Sequence, residues 1–255
     1  MSLCMLGAIA MMASAKPSTQ SIIAESWNKT LVIGHRGAAA YKPENTLPSF
    51  EEAIASKAVA TECDIHLSQD GEMVVMHDKT LDRTTSLKGE VAKTPWATMQ
   101  AAGIPNLADL VKVTKDRIVL VVEVKHGEGI EKPMLDLLNK ENMLDQSIIF
   151  SFGENHIANT EKLDPRYFSV WLVGKILKPE DYTATLDRAK ELGANGAGFQ
   201  FRNVTPELVR AAHDRKVPIF VWTVPPGPEV DRLKALKVNF IITDHPRDVL
   251  KQLGG

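Results

Sequence analysis

The chain has 255 residues, 44% hydrophobic and 24% charged, which is enough for one sizeable core in a single domain. Its 30 Lys and Arg nearly balance its 32 Asp and Glu, for a formal net charge of -2. With no basic block or acidic tail, a broad nucleic-acid-binding face is not expected.

The N-terminus is the first distinctive segment. Leu3 to Met12 is apolar, and Ala13-Ser14-Ala15 before Lys16 has the A-x-A form of a signal-peptidase site. A signal peptide over 1–15 is expected, which would make the protein periplasmic or secreted; the alternative is a short helical or disordered leader on a cytoplasmic protein. No Lys or Arg precedes Lys16, so the charged start of such a signal is missing. Cleavage would remove Cys4 and leave Cys63 alone, so no intrachain disulfide is expected. Nothing after residue 30 is apolar for long enough to span a bilayer, so no stable membrane insertion is expected.

From residue 30 to 253, short apolar runs alternate with helical stripes. Strands are predicted at Leu31–Gly34, Ala60–Ile65, Ile118–Val124, Ser147–Phe152, Tyr167–Leu172, Gly196–Gln200, Ile219–Thr223 and Phe240–Thr243. Helical stripes run through Phe50/Ala53/Ile54, Leu107/Leu110/Val111, Met134/Leu137/Leu138, Leu186/Ala189/Leu192, Leu208/Val209/Ala212 and Leu233/Leu236. Thr205-Pro206-Glu207 is a strong helix start. Asp244-His245-Pro246 is read as the cap of the final helix. Eight such units favour an α/β fold of the (β/α)8 TIM-barrel type over an open doubly wound sheet. No G-x-G-x-x-G opening points to a dinucleotide.

The alternation breaks between His66 and Asn106, predicting a small insertion at about 67–105. Asp70-Gly71 between alternating apolar flanks is a hairpin signal, so the second strand is expected to overshoot the rim. The chain then returns through Met73–Met76 to His77-Asp78. In a barrel of this type the rim at the strand C-termini holds the site.

Polar residues collect on that rim. Glu62 and Asp64 are two apart and share a strand face; Cys63 between them faces the helices. Glu123 ends another apolar run, with Lys125 at the same parity. Three carboxylates so placed repel one another unless they pair with Arg or Lys or hold a hard divalent cation, and spacing alone leaves both readings open. His35 and His77 each end a strand, and imidazoles suit acid–base work near neutral pH. Arg36 and Lys125 can contact a phosphate. Asn45 or Thr46 is read as the cap of the first helix, with Asn45 favoured. Glu44 either orients Arg36 or touches a metal. Trp171 and Trp222, and more weakly Phe152 and Phe199, are either core aromatics or an apolar wall for substrate.

The motifs "GHRG", "PENT", "E.D", "DG..VV.HD..L.RTT", "E.K", "SF" and the terminal "TD.P" run in order from about Val32 to Pro246. Together they resemble the glycerophosphodiester phosphodiesterase family. The resemblance implies a phosphodiesterase barrel with an inserted subdomain. It also implies His35 and His77 as an acid–base pair and Glu62, Asp64 and Glu123 as ligands of one divalent ion, Ca2+ or Mg2+. Arg36 would contact the phosphate, with Lys125 beside the metal and Glu44 as the acid of "PENT". Asn106 and Asp109 stand where the family usually has threonine and glutamate, and Asn106 is still a competent cap. The implied activity is hydrolysis of small glycerophosphodiesters to sn-glycerol 3-phosphate and an alcohol. Two alternatives stay open: a phospholipase-type diesterase acting on intact phospholipid, and a catalytically idle binding protein on the same fold.

Overall fold

Eight of the nine strands run parallel and close on themselves. They are β1 (Leu31–Gly34), β2 (Ala60–Leu67), β4 (Val119–His126), β5 (Ser147–Ser151), β6 (Phe168–Val173), β7 (Gly196–Gln200), β8 (Ile219–Trp222) and β9 (Phe240–Thr243). Each pairs with the next, and β1 pairs with both β2 and β9, so the sheet has no open parallel edge. This is a TIM barrel, seen in a computed structural model that describes residues 16–254. The expected leader at 1–15 lies outside the described residues. The predicted strands all form, with ends displaced by a residue or two; β4 runs on to His126.

Two apolar shells follow from strand parity. Leu31, Ile33, Ala60, Val119, Val121, Ile148, Val170, Leu172 and Phe240 form the inner core. Alternate residues face the helices: Cys63 and Val122 pack with Phe50 of α2 (Leu47–Ala55) and Leu107 and Leu110 of α4 (Leu107–Thr114). Trp171, Val173 and Phe199 pack instead with Leu186 of α7 (Tyr182–Glu191) and Leu208 of α8 (Pro206–Asp214). The caps expected at Asn106 and Thr205 are present, accepting from Asp109 N at 2.8 Å and Leu208 N at 3.2 Å.

Two helices carry too few apolar residues to stand out in the sequence. α1 (Thr19–Ser26) closes the N-terminal end of the barrel, where Thr19 Oγ1 donates to Ser147 O and Ile22 joins the inner core. α6 (Glu154–Leu163) follows β5, and the buried His156 Nδ1 lies 2.7 Å from Glu131 Oε1 at the start of α5 (Glu131–Lys140). α9 (Pro228–Ala235) and α10 (Pro246–Leu253) complete the outer ring. Among the described residues no helix is long and apolar enough to cross a membrane.

β2 does overshoot the rim. Its last residues pair antiparallel with β3 (Met73–Val75), Leu67 opposite Met73 and Ile65 opposite Val75. From β3 to α4 the chain carries the short α3 (Trp96–Ala101) and a small core of Val74, Met76, Leu81, Val91, Met99 and Ile104.

Candidate active site

Parity places the acidic residues. On β2, Glu62 and Asp64 follow inward-facing Ala60 in steps of two; on β4, Glu123 and Lys125 follow Val119 and Val121. Asp64 and Glu123 are register partners on adjacent strands. One oxygen from each of Glu62, Asp64 and Glu123 lies within 4.8 Å of the others, and all three side chains are buried. Burial, and then the charges of Asp64 and Glu123, push Glu62 well above the usual carboxylate range. Burial and Asp64 push Glu123 up to about 7.

The donor set fits a hard divalent ion. Glu62 Oε1, Asp64 Oδ1 and Glu123 Oε1 are buried and receive no hydrogen bond. Lys125 Nζ lies 2.7 Å from Glu123 Oε1 and 3.5 Å from Asp64 Oδ1. Arg36 Nε is 3.5 Å from Asp64 Oδ2. Two cations therefore face three carboxylates, one charge short of balance, around an all-oxygen cluster. The second oxygens are occupied: Arg36 N donates to Glu62 Oε2 at 2.9 Å, and Asn45 Nδ2 donates to Asp64 Oδ2 at 2.8 Å.

Asn45 is thus not a helix cap. The N-cap of α2 is Thr46, and Asn45 sits at φ 56° with its side chain turned onto Asp64. Asn45→Ala would leave Asp64 free to swing. We expect the loss of such a support to weaken divalent-ion binding roughly 10–100-fold, read by titration calorimetry with Mg2+ or Ca2+. Unchanged affinity would remove Asn45 from the site.

The two histidines are mounted alike. His35 continues β1 and donates its backbone N–H to Thr243 O; its Nδ1 lies 2.6 Å from Asp244 Oδ1. His77 follows β3, and its Nδ1 lies 2.7 Å from Asp78 Oδ1. A carboxylate on Nδ1 holds the proton there and leaves Nε2 as the working nitrogen. His66 Nε2 lies 3.0 Å from the carbonyl oxygen of His77, so His66 donates and fixes that backbone. Burial pulls His77 below the ordinary imidazole range. Burial pushes Asp244 up, but the bond to His35 together with the charges of His35, Arg36 and His245 outweighs it and keeps Asp244 below the usual carboxylate range. Within the stretch read as the cap of the final helix, His245 is the N-cap of α10, while the Asp244 side chain serves His35 instead.

Arg36 is set by a tight loop. It sits at φ 50°, and its carbonyl accepts from Asn45 N and Ser49 Oγ at 3.0 and 2.9 Å. Gly37 follows at φ 89°, and a Cβ there would lie 2.5 Å from Ser49 C. Gly37→Ala should cost on the order of 3–5 kcal/mol in chemical denaturation, since neither backbone nor side chain offers room. A loss under about 1 kcal/mol would mean the loop repacks freely.

Glu44 does not reach the acidic cluster. It accepts from Arg36 Nη1 at 2.8 Å and from both terminal nitrogens of Arg83 at 2.7 Å. Burial opposes its ionisation, but the bonds from Arg83 and Arg36 win and pull it down to about 2.

His35, Arg36, Glu62, His77, Glu123 and Lys125 line one cavity of about 120 Å³, walled by Phe150, Phe152, Leu172 and Trp222. Phe152 and Trp222 stack edge to face at 5.3 Å, and Lys125 Nζ lies 5.6 Å from the Phe152 ring centre. Trp171 is not part of this wall. It has the opposite parity to Leu172, packs toward the helices, and donates Nε1–H to Phe152 O at 3.3 Å. Phe199 is likewise buried on the helix side. A larger hollow of about 570 Å³ lies between the "PENT" loop and the insertion. Its one charged side chain is Glu44, already bound to two arginines.

The family model for the glycerophosphoryl diester phosphodiesterase family matches residues 35–248, from the first histidine to the start of α10. The chain belongs to this family. The family is one of phosphoric diester hydrolases, and every candidate residue discussed above lies in the matched stretch. A glycerophosphodiester phosphodiesterase of Caldanaerobacter subterraneus subsp. tengcongensis is 30% identical over 87% of this chain and 97% of its own length. One from Bacillus altitudinis is 30% identical over 87% and 97%. Among solved structures, an Oleispira antarctica phosphodiesterase in complex with the product sn-glycerol-3-phosphate has TM-score 0.81 at 23% identity, covering 89% of this chain and 98% of that one. A putative glycerophosphoryl diester phosphodiesterase from Agrobacterium tumefaciens has TM-score 0.82 at 21% identity, covering 89% and 98%.

Proposed function

We propose that this protein hydrolyses glycerophosphodiesters to sn-glycerol 3-phosphate and an alcohol. His35 and His77 transfer protons beside one divalent cation held by Glu62, Asp64 and Glu123. The observation that carries this reading is the convergence of two carboxylate-backed imidazoles on three clustered, buried carboxylates around one cavity.

Bound Ca2+ or Mg2+ would supply Lewis-acid polarisation of a phosphoryl oxygen. Arg36 offers a guanidinium whose buried Nε–H makes no hydrogen bond beyond its 3.5 Å charge contact with Asp64, a donor suited to a phosphate oxygen. Lys125 stays charged: burial works against it, but Glu123 and Asp64 raise it. One imidazole removes the proton from the attacking oxygen and the other protonates the leaving alkoxide. Phe152 and Trp222 form an apolar face for the carbon skeleton of glycerol. A cavity of about 120 Å³ is of a size for the polyol part of the substrate; any acyl chains would have to stay outside it.

Purified protein should release glycerol 3-phosphate from glycerophosphocholine or glycerophosphoethanolamine. EDTA should abolish release, and Ca2+ or Mg2+ should restore it. No release with either ion present would overturn the reading. Faster turnover of phospholipid vesicles than of deacylated diesters would favour the phospholipase alternative.

A further inference from the structure

We propose that Arg83 is a positioning residue that sets His77 and Arg36 together, an inference that rests on the phosphodiesterase reading above. Arg83 lies on the segment that returns over the rim between β3 and α3. Its planar guanidinium holds two carboxylates at once. Nε and Nη2 donate to Asp78 Oδ2 and Oδ1 at 2.6 and 3.1 Å. Nη1 and Nη2 donate to Glu44 Oε2 and Oε1, both at 2.7 Å. Asp78 in turn holds His77 Nδ1 at 2.7 Å, and Glu44 holds Arg36 Nη1 at 2.8 Å. Arg36 Nε is 3.5 Å from Asp64. An unbroken chain of polar contacts therefore runs Asp64, Arg36, Glu44, Arg83, Asp78, His77.

The geometry of this chain depends on one rigid fork. The fork fixes the separation of Glu44 and Asp78, and so the separation of the phosphate-facing arginine from the second imidazole. Without it, two like-charged carboxylates face each other and pull their clients apart. A purely stabilising role is a poor account. The side chain is 48% exposed, where ion pairs contribute little to stability. The segment also has its own apolar core, from Val74 to Ile104, to hold it in place. Lysine would keep the charge but cannot bridge both carboxylates in one plane.

The test compares kcat and KM on glycerophosphocholine for the unsubstituted protein, Arg83→Ala, Arg83→Lys, Asp78→Asn, Glu44→Gln and the Arg83→Ala pairs with each acid. Misplacing reacting groups costs up to roughly 10²-fold, so Arg83→Ala should lower kcat by about 10–100-fold while KM moves much less. Arg83→Lys should recover only part of the loss, and added methylguanidinium should restore part of it in Arg83→Ala. The pairs should lose little beyond the single variants, because all act through one chain of contacts. Thermal melts confirm that each variant is folded; should Arg83→Ala fail to fold, Arg83→Lys is read in the same cycles. An active unsubstituted protein whose Arg83→Ala form keeps kcat within about twofold overturns the inference alone, as do fully additive losses. An unsubstituted protein without diesterase activity overturns the functional reading and the inference with it.

Discussion

Alanine at His35, or at His77, should lower the turnover of glycerophosphodiesters by roughly 10²–10⁴-fold, the range attributed to a positioned proton donor or acceptor. Both rings line the same small cavity as the carboxylate cluster, and each has a carboxylate on Nδ1 that leaves Nε2 free. The substitutions remove the working nitrogens without touching the three acids, so divalent-ion binding should survive in both variants. The double variant should lose far less than the product of the two single losses, because acid and base serve one event. Asp244→Asn should act in the same direction more weakly, since the amide supports His35 less well than a carboxylate. Steady-state kinetics in saturating Mg2+ or Ca2+ decide the point. Turnover within about threefold in both alanine variants would sink the two-histidine assignment.

Much of this was legible in the sequence because it rests on local periodicity. The period of two put Glu62, Asp64 and Glu123 on one face and Cys63 on the other, as the structure has them. Strand ends marked His35 and His77 at the rim. Reading strand ends without parity failed for Trp171: Val170 and Leu172 face the barrel interior, so the residue between them must face the helices. The supporting residues were hidden for another reason. Asn45 precedes a Thr-Leu-Pro helix start and Asp244 precedes His-Pro, and both contexts look like capping. Their actual partners, Asp64 and His35, lie 19 and 209 residues away, and only the closed barrel brings them together. Arg83 stood out only as a member of the "L.RTT" motif, and His66 carried no pattern at all. A polar side chain next to a helix start thus reads as a cap until the fold shows a buried acid or imidazole within its reach.

The same cluster should make the protein's stability depend on pH in an uncommon direction when divalent ions are removed. Glu123 is pushed up to about 7 from an ordinary value of 4.5, and Glu62 is also raised. The folded state therefore holds these protons more tightly than the unfolded chain does. The resulting stabilisation is fully present below about pH 4.5 and is lost as pH rises through about 7. At ~1.4 kcal/mol per unit, Glu123 alone accounts for roughly 3 kcal/mol. Glu44, pulled down to about 2, contributes the opposite slope only at much lower pH; His77 and His66, both lowered by burial, oppose the fall through the imidazole range, so the net fall is smaller than the Glu123 contribution alone. Urea denaturation in EDTA should show a clear fall in stability from pH 5 to pH 8. Mg2+ or Ca2+ should remove most of it, since an ion at 100 times its Kd adds about 2.7 kcal/mol. Glu123→Gln keeps the shape and removes one charge. It should be more stable than the unsubstituted protein at pH 8 in EDTA, gain little from added ion, and have lost its activity. Equal stability at pH 5 and 8 in EDTA, with no response to either ion, would mean that Arg36 and Lys125 balance the acids by themselves.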